Sequence, residues 1–222
     1  PVAFETEGLD AVIARRERFL ADYQDEAWAR RYRAAVDKIR AAERPFGTEA
    51  LTLAVARSLF KLMSYKDEYE VARLHMQTGF LDELKQRFEG DFTVNYHLAP
   101  PFLGGEKDAR GRPLKRRFGQ WIQTPLRLLA RFKGLRGTAF DPFGYTAERK
   151  MERALIGWYE GLVEELLARL PARGPDALAT IAALPMDIRG YGPVKDAAVE
   201  QVKAAAEQRL NELSTAAAKE AA

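Results

Sequence analysis

Cysteine is absent from the 222-residue chain, and histidine occurs only twice, as His75 and His97. Without cysteine the chain has no disulfide, no thiolate nucleophile and no thiolate ligand for a zinc ion or an iron–sulfur cluster. With two histidines, any metal site or acid–base group built on imidazole has to use one of these two residues. The sequence therefore excludes several large classes of redox and metal chemistry as activities of these residues.

Long apolar runs are also missing. A helix that crosses a bilayer needs about 20 consecutive apolar residues, and the least polar stretch, residues 177–186, is shorter and contains Thr180 and a proline. Glu5, Glu7 and Asp10 stand where a secretory signal would carry basic and then apolar residues. We therefore expect a cytoplasmic chain with no membrane anchor.

The charge that is present is unevenly distributed. Residues 107–136 contain ten basic side chains and one acid, a local charge of +9, whereas the whole chain carries +3 and the remainder therefore −6. Such an excess favours contact with anions, acidic proteins or nucleic acid. The more ordinary interpretation is pairing with carboxylates elsewhere in the fold, or a solvated face. We call residues 107–136 the basic segment.

Apolar residues recur mostly at helical spacing. One alternating segment, residues 92–98, predicts a strand, with a partner near residues 117–122. The fold class is therefore mostly α, an irregular multi-helix domain with a small two-stranded β element. The predicted helices cover residues 9–23, the segment from Asp25 to the turn at 44–47, a segment opened by Thr48, then 61–77, 81–88, 124–132, 146 to about 170, 176–184, and 194 to about 213.

Residues 1–213 are expected to form a single domain, with a helical pair at residues 1–47 and a main body at residues 48–213. The alanine-rich tail, residues 214–222, is expected to fray. Pro171 and Gly174-Pro175 are expected to end the long helix that precedes them, because proline lacks the N–H that a helix interior needs and glycine breaks the helical pattern.

The common catalytic signatures are missing: there is no P-loop, no dinucleotide fingerprint, no His-Glu-x-x-His and no Gly-x-Ser-x-Gly. Asp67, Glu68 and Glu70 could act as acid–base groups or magnesium ligands. Lys66 and Arg73 lie close to them in the sequence, and this pattern favours a salt-bridged helix face instead.

His97, at the end of the predicted strand, is a candidate acid–base residue that would work with Asp67 or Glu68 in an independent enzyme. The alternative is a buried histidine bonded to a backbone carbonyl, since nothing in the sequence supplies the partner that triad chemistry requires. We therefore assign no catalytic residue and no metal ligand to the chain.

Five cations are candidate contacts for an anion or a partner: Arg116, Arg117, Lys133 and Arg136 of the basic segment, and Lys195. Lys195 follows a short glycine-rich turn, where the free N–H groups of a helix N-terminus can hold an anion. The alternative is an ordinary turn with proline at the first helical position.

Several segments occur together in a fixed order, and their order is more specific than any one of them. They resemble the C-terminal domain of the large fused bacterial indolepyruvate ferredoxin oxidoreductases, from about Leu9 to Glu207. The segments are Lys61-Leu-Met-Ser-Tyr-Lys-Asp-Glu-Tyr-Glu-Val-Ala-Arg-Leu74, Phe88-Glu-Gly-Asp91, Tyr96-His-Leu-Ala-Pro-Pro101, Lys133-Gly-Leu-Arg-Gly-Thr138, Asp141-Pro-Phe-Gly144, Thr146-Ala-Glu-Arg149, Met151-Glu-Arg-Ala-Leu155 and Ile188-Arg-Gly-Tyr-Gly192 with Val194-Lys195.

This resemblance implies a piece of a 2-oxoacid:ferredoxin oxidoreductase, an enzyme that decarboxylates a 2-oxo acid on thiamine diphosphate and passes electrons through iron–sulfur clusters. The modules that bind these cofactors lie elsewhere in that polypeptide. The present chain agrees, since it has no cysteine and no Gly-Asp-Gly…Asn thiamine motif, so we expect no cofactor in this chain. A chain that begins with Pro1 is expected to be a fragment of such a protein.

The resemblance also implies partners. We expect the other modules of the same oxidoreductase, a homo-oligomer in the parent enzyme, and contact of the basic segment with acidic ferredoxin or with the phosphates of coenzyme A. The alternative is a nucleic-acid-binding helical module that uses the basic segment. We expect it less, because aromatic residues are sparse among these cations and acids dominate elsewhere.

Overall fold

The computed structural model describes residues 7–90, 92–99 and 114–220. In these residues the helices, in chain order, are α1 Leu9–Tyr23, α2 Glu26–Glu43, α3 Ala50–Met63, α4 Glu68–Met76, α5 Phe80–Arg87, α6 Gln123–Arg131, α7 Ala147–Arg173, α8 Pro175–Ala182 and α9 Pro193–Glu220. Two strands, β1 Tyr96–Leu98 and β2 Arg116–Phe118, form a small antiparallel sheet. The predicted fold class, mostly α with a small two-stranded β element, is confirmed.

The chain divides into two compact units. Unit 1 contains the described residues up to Tyr65 and from Lys150 onward, and unit 2 contains those from Lys66 to Arg149. The sequence suggests a subdivision at residue 47 instead. The structure keeps α1, α2 and α3 in one unit because α3 packs against both preceding helices and against α8, so that their apolar faces share one core.

Buried tyrosines tie the helices of unit 1 to one another. The Tyr23 hydroxyl donates to the Tyr65 carbonyl oxygen at 2.8 Å, and the Tyr159 hydroxyl donates to the Ala182 carbonyl oxygen at 2.8 Å. Each ring fills core volume while its hydroxyl donates a hydrogen bond to a buried backbone carbonyl oxygen. Burial raises the pKa of the Tyr159 hydroxyl, so this group remains a donor.

The start of α3 is closed by a buried carboxylate from the end of α2. Glu43 is 1% exposed and accepts hydrogen bonds from the Leu51 and Thr52 backbone N–H groups at 2.9 and 2.7 Å, and from the Thr52 hydroxyl at 2.6 Å. Negative charge at a helix N-terminus is favourable because the first N–H groups have no partner within the helix. Glu43 therefore fixes the turn between α2 and α3.

Unit 2 has its own small core. The strands pair with Tyr96 opposite Phe118 and His97 opposite Arg117, and β2 therefore lies close to the partner segment that the sequence predicts. Tyr96 and Phe118 are buried against the inner face of α6, which also packs on α4. The buried members are Ala72, Tyr96, Phe118, Ile122, Leu126 and Ala130.

The predicted helix over residues 61–77 is wrong in one respect, because it is two helices. α3 ends at Met63 and α4 begins at Glu68. Asp67 stands in extended backbone and its side chain accepts a hydrogen bond from the Glu70 N–H at 2.8 Å, which is the geometry of an N-terminal cap. A side chain inside a continuous helix could not cap, so this aspartate marks a helix start.

Two helix ends also differ from expectation. α7 continues past Pro171 to Arg173, so the helix ends at the predicted Gly174-Pro175 break and not at Pro171; Gly174, at φ +70°, separates α7 from α8. α9 continues through the predicted frayed tail as far as Glu220, consistent with the high helix propensity of alanine. Within the residues the structure describes, none of the helices combines the length and apolar character that crossing a membrane requires.

Candidate functional site

The N-terminus of α4 carries a buried ion pair. Asp67 Oδ2 accepts from Arg136 Nε at 2.5 Å and Asp67 Oδ1 accepts from Arg136 Nη2 at 2.9 Å. Both side chains are 2% exposed. The guanidinium carbon also lies 5.5 Å from the centre of the Tyr69 ring. The planar fork of arginine suits this bidentate and stacked geometry, which lysine could not reproduce.

Two further pairs continue from the same helix. Glu70 and Arg73 form two hydrogen bonds of 2.8 Å and are both buried. Glu68 accepts from Arg149 Nε and Nη2 at 3.3 Å each. We call these three pairs, together with Tyr69 and Asp141, the ion-pair cluster. The predicted pairing along the helix is found for Glu70 with Arg73, whereas Asp67 and Glu68 pair with arginines that are distant in sequence, and the pairs are largely buried.

The loop before α7 is organised by Asp141. Its carboxylate accepts from the Tyr69 hydroxyl at 3.2 Å, from the Gly137 N–H at 2.8 Å and from the Phe143 N–H at 3.1 Å. The Phe143 ring stands edge-on to Tyr69, with ring centres 5.2 Å apart. Burial, followed by the negative charge of Asp141, raises the pKa of the Tyr69 hydroxyl, which is therefore held as a hydrogen-bond donor.

A role in acid–base or metal chemistry is not favoured by this geometry. Asp67 and Glu68 accept hydrogen bonds from Arg136 and Arg149, so their carboxylate oxygens are engaged within the fold. His97 lies on β1 opposite Arg117 and is exposed. Among the described residues, no group of three or more histidine or acidic side chains is arranged to hold a metal ion.

The five candidate anion contacts occupy different environments. Arg116 and Arg117 lie exposed on β2, and Lys133 is half-buried in the 3-10 turn after α6. Arg136 is buried on Asp67, so its charge is already compensated inside unit 2. Lys195 belongs to unit 1 and pairs with the buried Glu152. Residues 107–113 of the basic segment lie outside the described residues.

The turn before α9 follows the simpler interpretation. Pro193 is the first residue of α9, and Gly190 and Gly192 have positive φ. Nearby in unit 1, Lys61 Nζ donates to the Pro185 and Met186 carbonyl oxygens at 2.9 and 2.8 Å. These hydrogen bonds join α3 to the 3-10 turn Leu184–Asp187.

An exposed apolar surface next to the cations escaped the sequence analysis. Trp121 is 65% exposed, Leu128 is 55% exposed and Phe132 is 47% exposed. They stand before, within and after α6, whose exposed face also carries Arg127 and Arg131. The signal that could have located them is the spacing within α6, where Ile122, Leu126 and Ala130 recur every four residues and leave Leu128 on the opposite side.

The chain is therefore a mostly helical protein in which residues of several separate sequence motifs form a buried ion-pair cluster. A model of the DUF6537 family, a family of unknown function, matches residues 9–208. The chain therefore belongs to the DUF6537 family. Neither a curated protein nor a solved structure matches the chain.

Proposed function

We propose that the chain is a non-catalytic accessory domain of a 2-oxoacid:ferredoxin oxidoreductase that acts on indolepyruvate or a related arylpyruvate. In this proposal thiamine diphosphate and iron–sulfur clusters are held by other modules of the enzyme. The chain packs on those modules and presents its basic segment to acidic ferredoxin or to the phosphates of coenzyme A. The observation that carries the proposal is the ordered set of resembling segments over residues 9–207.

The positions of the resembling segments favour a structural role for this chain over a catalytic one. Asp67, Arg136, Asp141 and Arg149 come from four separate segments, and all four belong to the ion-pair cluster of unit 2. Residues that match the family motifs are thus used to fix the fold. An enzyme site would instead keep at least one charged group open toward a substrate.

Exposed cations at β2 and on α6 support the docking part of the proposal. Lys115, Arg116, Arg117, Arg127 and Arg131 are exposed. Residues 114–136 contain no acid, so this stretch of the chain carries a net positive charge. An acidic protein would associate with these cations at a rate that falls as the salt concentration rises, because salt screens their attraction.

The assembly part is tested by the genetic and biochemical context. We expect the DNA flanking this reading frame to encode a thiamine-binding motif and cluster-ligating cysteines, and we expect the chain to purify with those modules. Removal of residues 9–208 from such an enzyme should weaken its assembly or its reduction of ferredoxin. A parent enzyme that assembles and reduces ferredoxin equally well without these residues would contradict the proposal.

The docking part has a separate test. The full chain is immobilised and its association with purified ferredoxin is measured at low and at high salt. We expect binding at low salt that weakens steeply as salt is added, because several exposed cations contribute. Absence of any salt-sensitive association would refute this part while leaving the assembly part standing.

Nucleic-acid binding is the alternative function, and the exposed cations beside Trp121 are the observation that favours it. Mixed-sequence DNA and RNA are titrated into the full chain over a range of salt concentrations. A nucleic-acid module would bind with a log–log salt slope of about −0.7 to −0.9 per phosphate contact. We expect instead that the chain binds DNA and RNA much more weakly than it binds ferredoxin.

A further inference from the structure

The outward face of α6 combines positive and apolar side chains in a regular pattern. Thr124, Arg127, Leu128 and Arg131 are spaced three or four residues apart and are all exposed. Leu128 and Phe132 are four residues apart, so the apolar line continues into the turn that follows the helix. We call Trp121, Thr124, Arg127, Leu128, Arg131 and Phe132 the α6 face.

The opposite side of the helix is already fully used. Ile122, Leu126 and Ala130 are buried in the core of unit 2, with Leu129 partly buried beside them. Trp121 is held at the start of the face by an edge-on contact with the buried Phe118, ring centres 5.8 Å apart. The α6 face is therefore presented by a helix that cannot turn these side chains inward.

Within the part of the chain that the structure describes, the charge of the α6 face is not paired with a carboxylate. Among the described residues, Arg131 has no carboxylate partner, and the hydrogen bond of Arg127 goes to the neutral Gln123 side chain at 3.2 Å. Aromatic side chains and arginine are the residue types most enriched at the centres of protein interfaces. An exposed line of large apolar side chains flanked by arginines is thus typical of a protein-binding surface.

We propose that the α6 face is a docking surface for an acidic protein segment whose apolar side chains are flanked by carboxylates. The apolar side chains of the partner cover Leu128 and Phe132, and its carboxylates pair with Arg127 and Arg131. This inference rests on the proposed function only in that both place an acidic partner on the basic segment. It adds that apolar contact, centred on Leu128, is required as well as charge.

Three other occupants fit the face less well. Trp121, Phe132 and the two arginines could stack on nucleic-acid bases, but the aliphatic Leu128 at the centre of the face offers no stacking surface. A membrane-surface helix buries its large apolar face in lipid, whereas that face of α6 is buried in the core. A second copy placed symmetrically on this face would set arginines against arginines, which is repulsive.

The experiment uses the full chain and a fluorescent synthetic peptide about four helical turns long, with leucine and phenylalanine at helical spacing and glutamate elsewhere. A second peptide of equal charge carries serine in place of the apolar residues. Binding is followed by fluorescence anisotropy for the unaltered chain, for Leu128→Ser, and for the double variant R127E/R131E. The matched control is R18E/R30E, which reverses two exposed arginines on α1 and α2 of unit 1.

We expect the amphipathic peptide to bind at least about tenfold more tightly than the serine peptide. Leu128→Ser and R127E/R131E should each weaken that binding at least about tenfold, while R18E/R30E should leave it within about threefold. Circular dichroism confirms that each variant is folded. Equal binding of both peptides, no binding, or equal losses in the control and the R127E/R131E variant would overturn the proposal.

Parallel titrations identify the other occupants. A mixed oligonucleotide or vesicles of phosphatidylcholine and phosphatidylserine that bind more tightly than the amphipathic peptide would overturn the proposal, as would self-association abolished by Leu128→Ser in sedimentation. These experiments also distinguish failure of the α6-face proposal from failure of the proposed function. If the peptide behaves as expected but ferredoxin does not bind, the α6 face stands and ferredoxin is the wrong partner.

Discussion

Asp67 caps helix α4 with one carboxylate and at the same time binds both nitrogens of one edge of Arg136, a residue 69 positions later in the chain. Because both side chains are only 2% exposed, the pair is protected from solvent and salt. It joins the start of α4 to the turn after α6, and so holds together the two helices on which the core of unit 2 is built.

The first prediction concerns this pair. Arg136→Ala should lower the free energy of unfolding of unit 2 by about 3–5 kcal/mol, because it leaves the Asp67 carboxylate buried without its partner. Urea unfolding followed by circular dichroism measures the change. Arg131→Ala, an exposed arginine of the same basic segment, is the control and should cost less than about 0.5 kcal/mol. Equal effects of the two variants would contradict the structural role of the pair.

A double variant separates pairing from packing. Asp67→Asn with Arg136→Met removes both charges, so it should cost less than the sum of the two single variants. The coupling energy in that cycle should be about 1–3 kcal/mol, since the residues are in direct contact. Additive effects would show that Asp67 acts only as a helix cap.

The second prediction concerns the hydrogen bonds that Glu43 accepts at the start of α3. Glu43→Ala should destabilise unit 1 by about 2–4 kcal/mol, because two backbone N–H groups and the Thr52 hydroxyl lose their acceptor in a buried position. Glu200→Ala, an exposed glutamate of α9, should change stability by less than about 0.5 kcal/mol. The midpoint of urea unfolding reports both. A small effect of Glu43→Ala would mean that water replaces the carboxylate.

The third prediction concerns the loop organised by Asp141. A Cβ atom at Gly144 would lie 2.7 Å from Asp141 Oδ2 and 2.9 Å from its Cγ. Gly144→Ala should therefore displace this carboxylate from Tyr69 and destabilise unit 2 by about 1–3 kcal/mol. Gly134→Ala, in the same unit with no atom within 4 Å of its added Cβ, is the control. Thermal unfolding of both variants tests the difference, and equal melting temperatures would contradict it.

The fourth prediction concerns pH. Burial, with the positive charge of Lys66 adding to it, lowers the pKa of His75 below its ordinary value of 6.5. The unfolded chain therefore binds a proton more readily than the folded chain, so stability from this residue is complete above pH 6.5 and declines as pH falls below it. His75→Phe, which retains a ring beside Tyr96, should lose less stability on acidification than the unaltered chain.

His97 provides the control for this pH effect. His97→Phe removes the other histidine of the chain, which is exposed on β1. The midpoint of urea unfolding is measured at about pH 7.5 and about pH 5.5 for the unaltered chain, His75→Phe and His97→Phe. If His97→Phe and His75→Phe change the pH dependence equally, the burial of His75 is not its cause.

Local patterns in the sequence predict much of the secondary structure. The apolar spacing of residues 9–23 predicts α1 as it stands, and Asp25 caps α2 through the Trp28 N–H at 2.8 Å. The alternation over residues 92–98 predicts a strand, of which the structure forms Tyr96–Leu98, paired with β2 close to the predicted partner segment. These features depend on residues a few positions apart, so periodicity and capping chemistry are sufficient to find them.

The candidate site was less accessible to such reasoning. Charge counting assigns Arg136 to the same group as Arg131, although one is buried on Asp67 and the other is exposed. Counting also overlooks Leu128, because a leucine within an amphipathic helix is expected on its buried side. Both distinctions depend on which side of α6, and of the turn after it, faces the core.

The amino-acid sequence by itself determined the mostly helical class, the absence of cysteine chemistry and the concentration of positive charge in residues 107–136. Tertiary structure alone decided which of those charges are compensated. An ion pair between residues 67 and 136 forms only when α4 and α6 pack together, and exposure of the α6 face follows from the same packing. Pairing and burial are long-range relationships, whereas composition and periodicity are local ones.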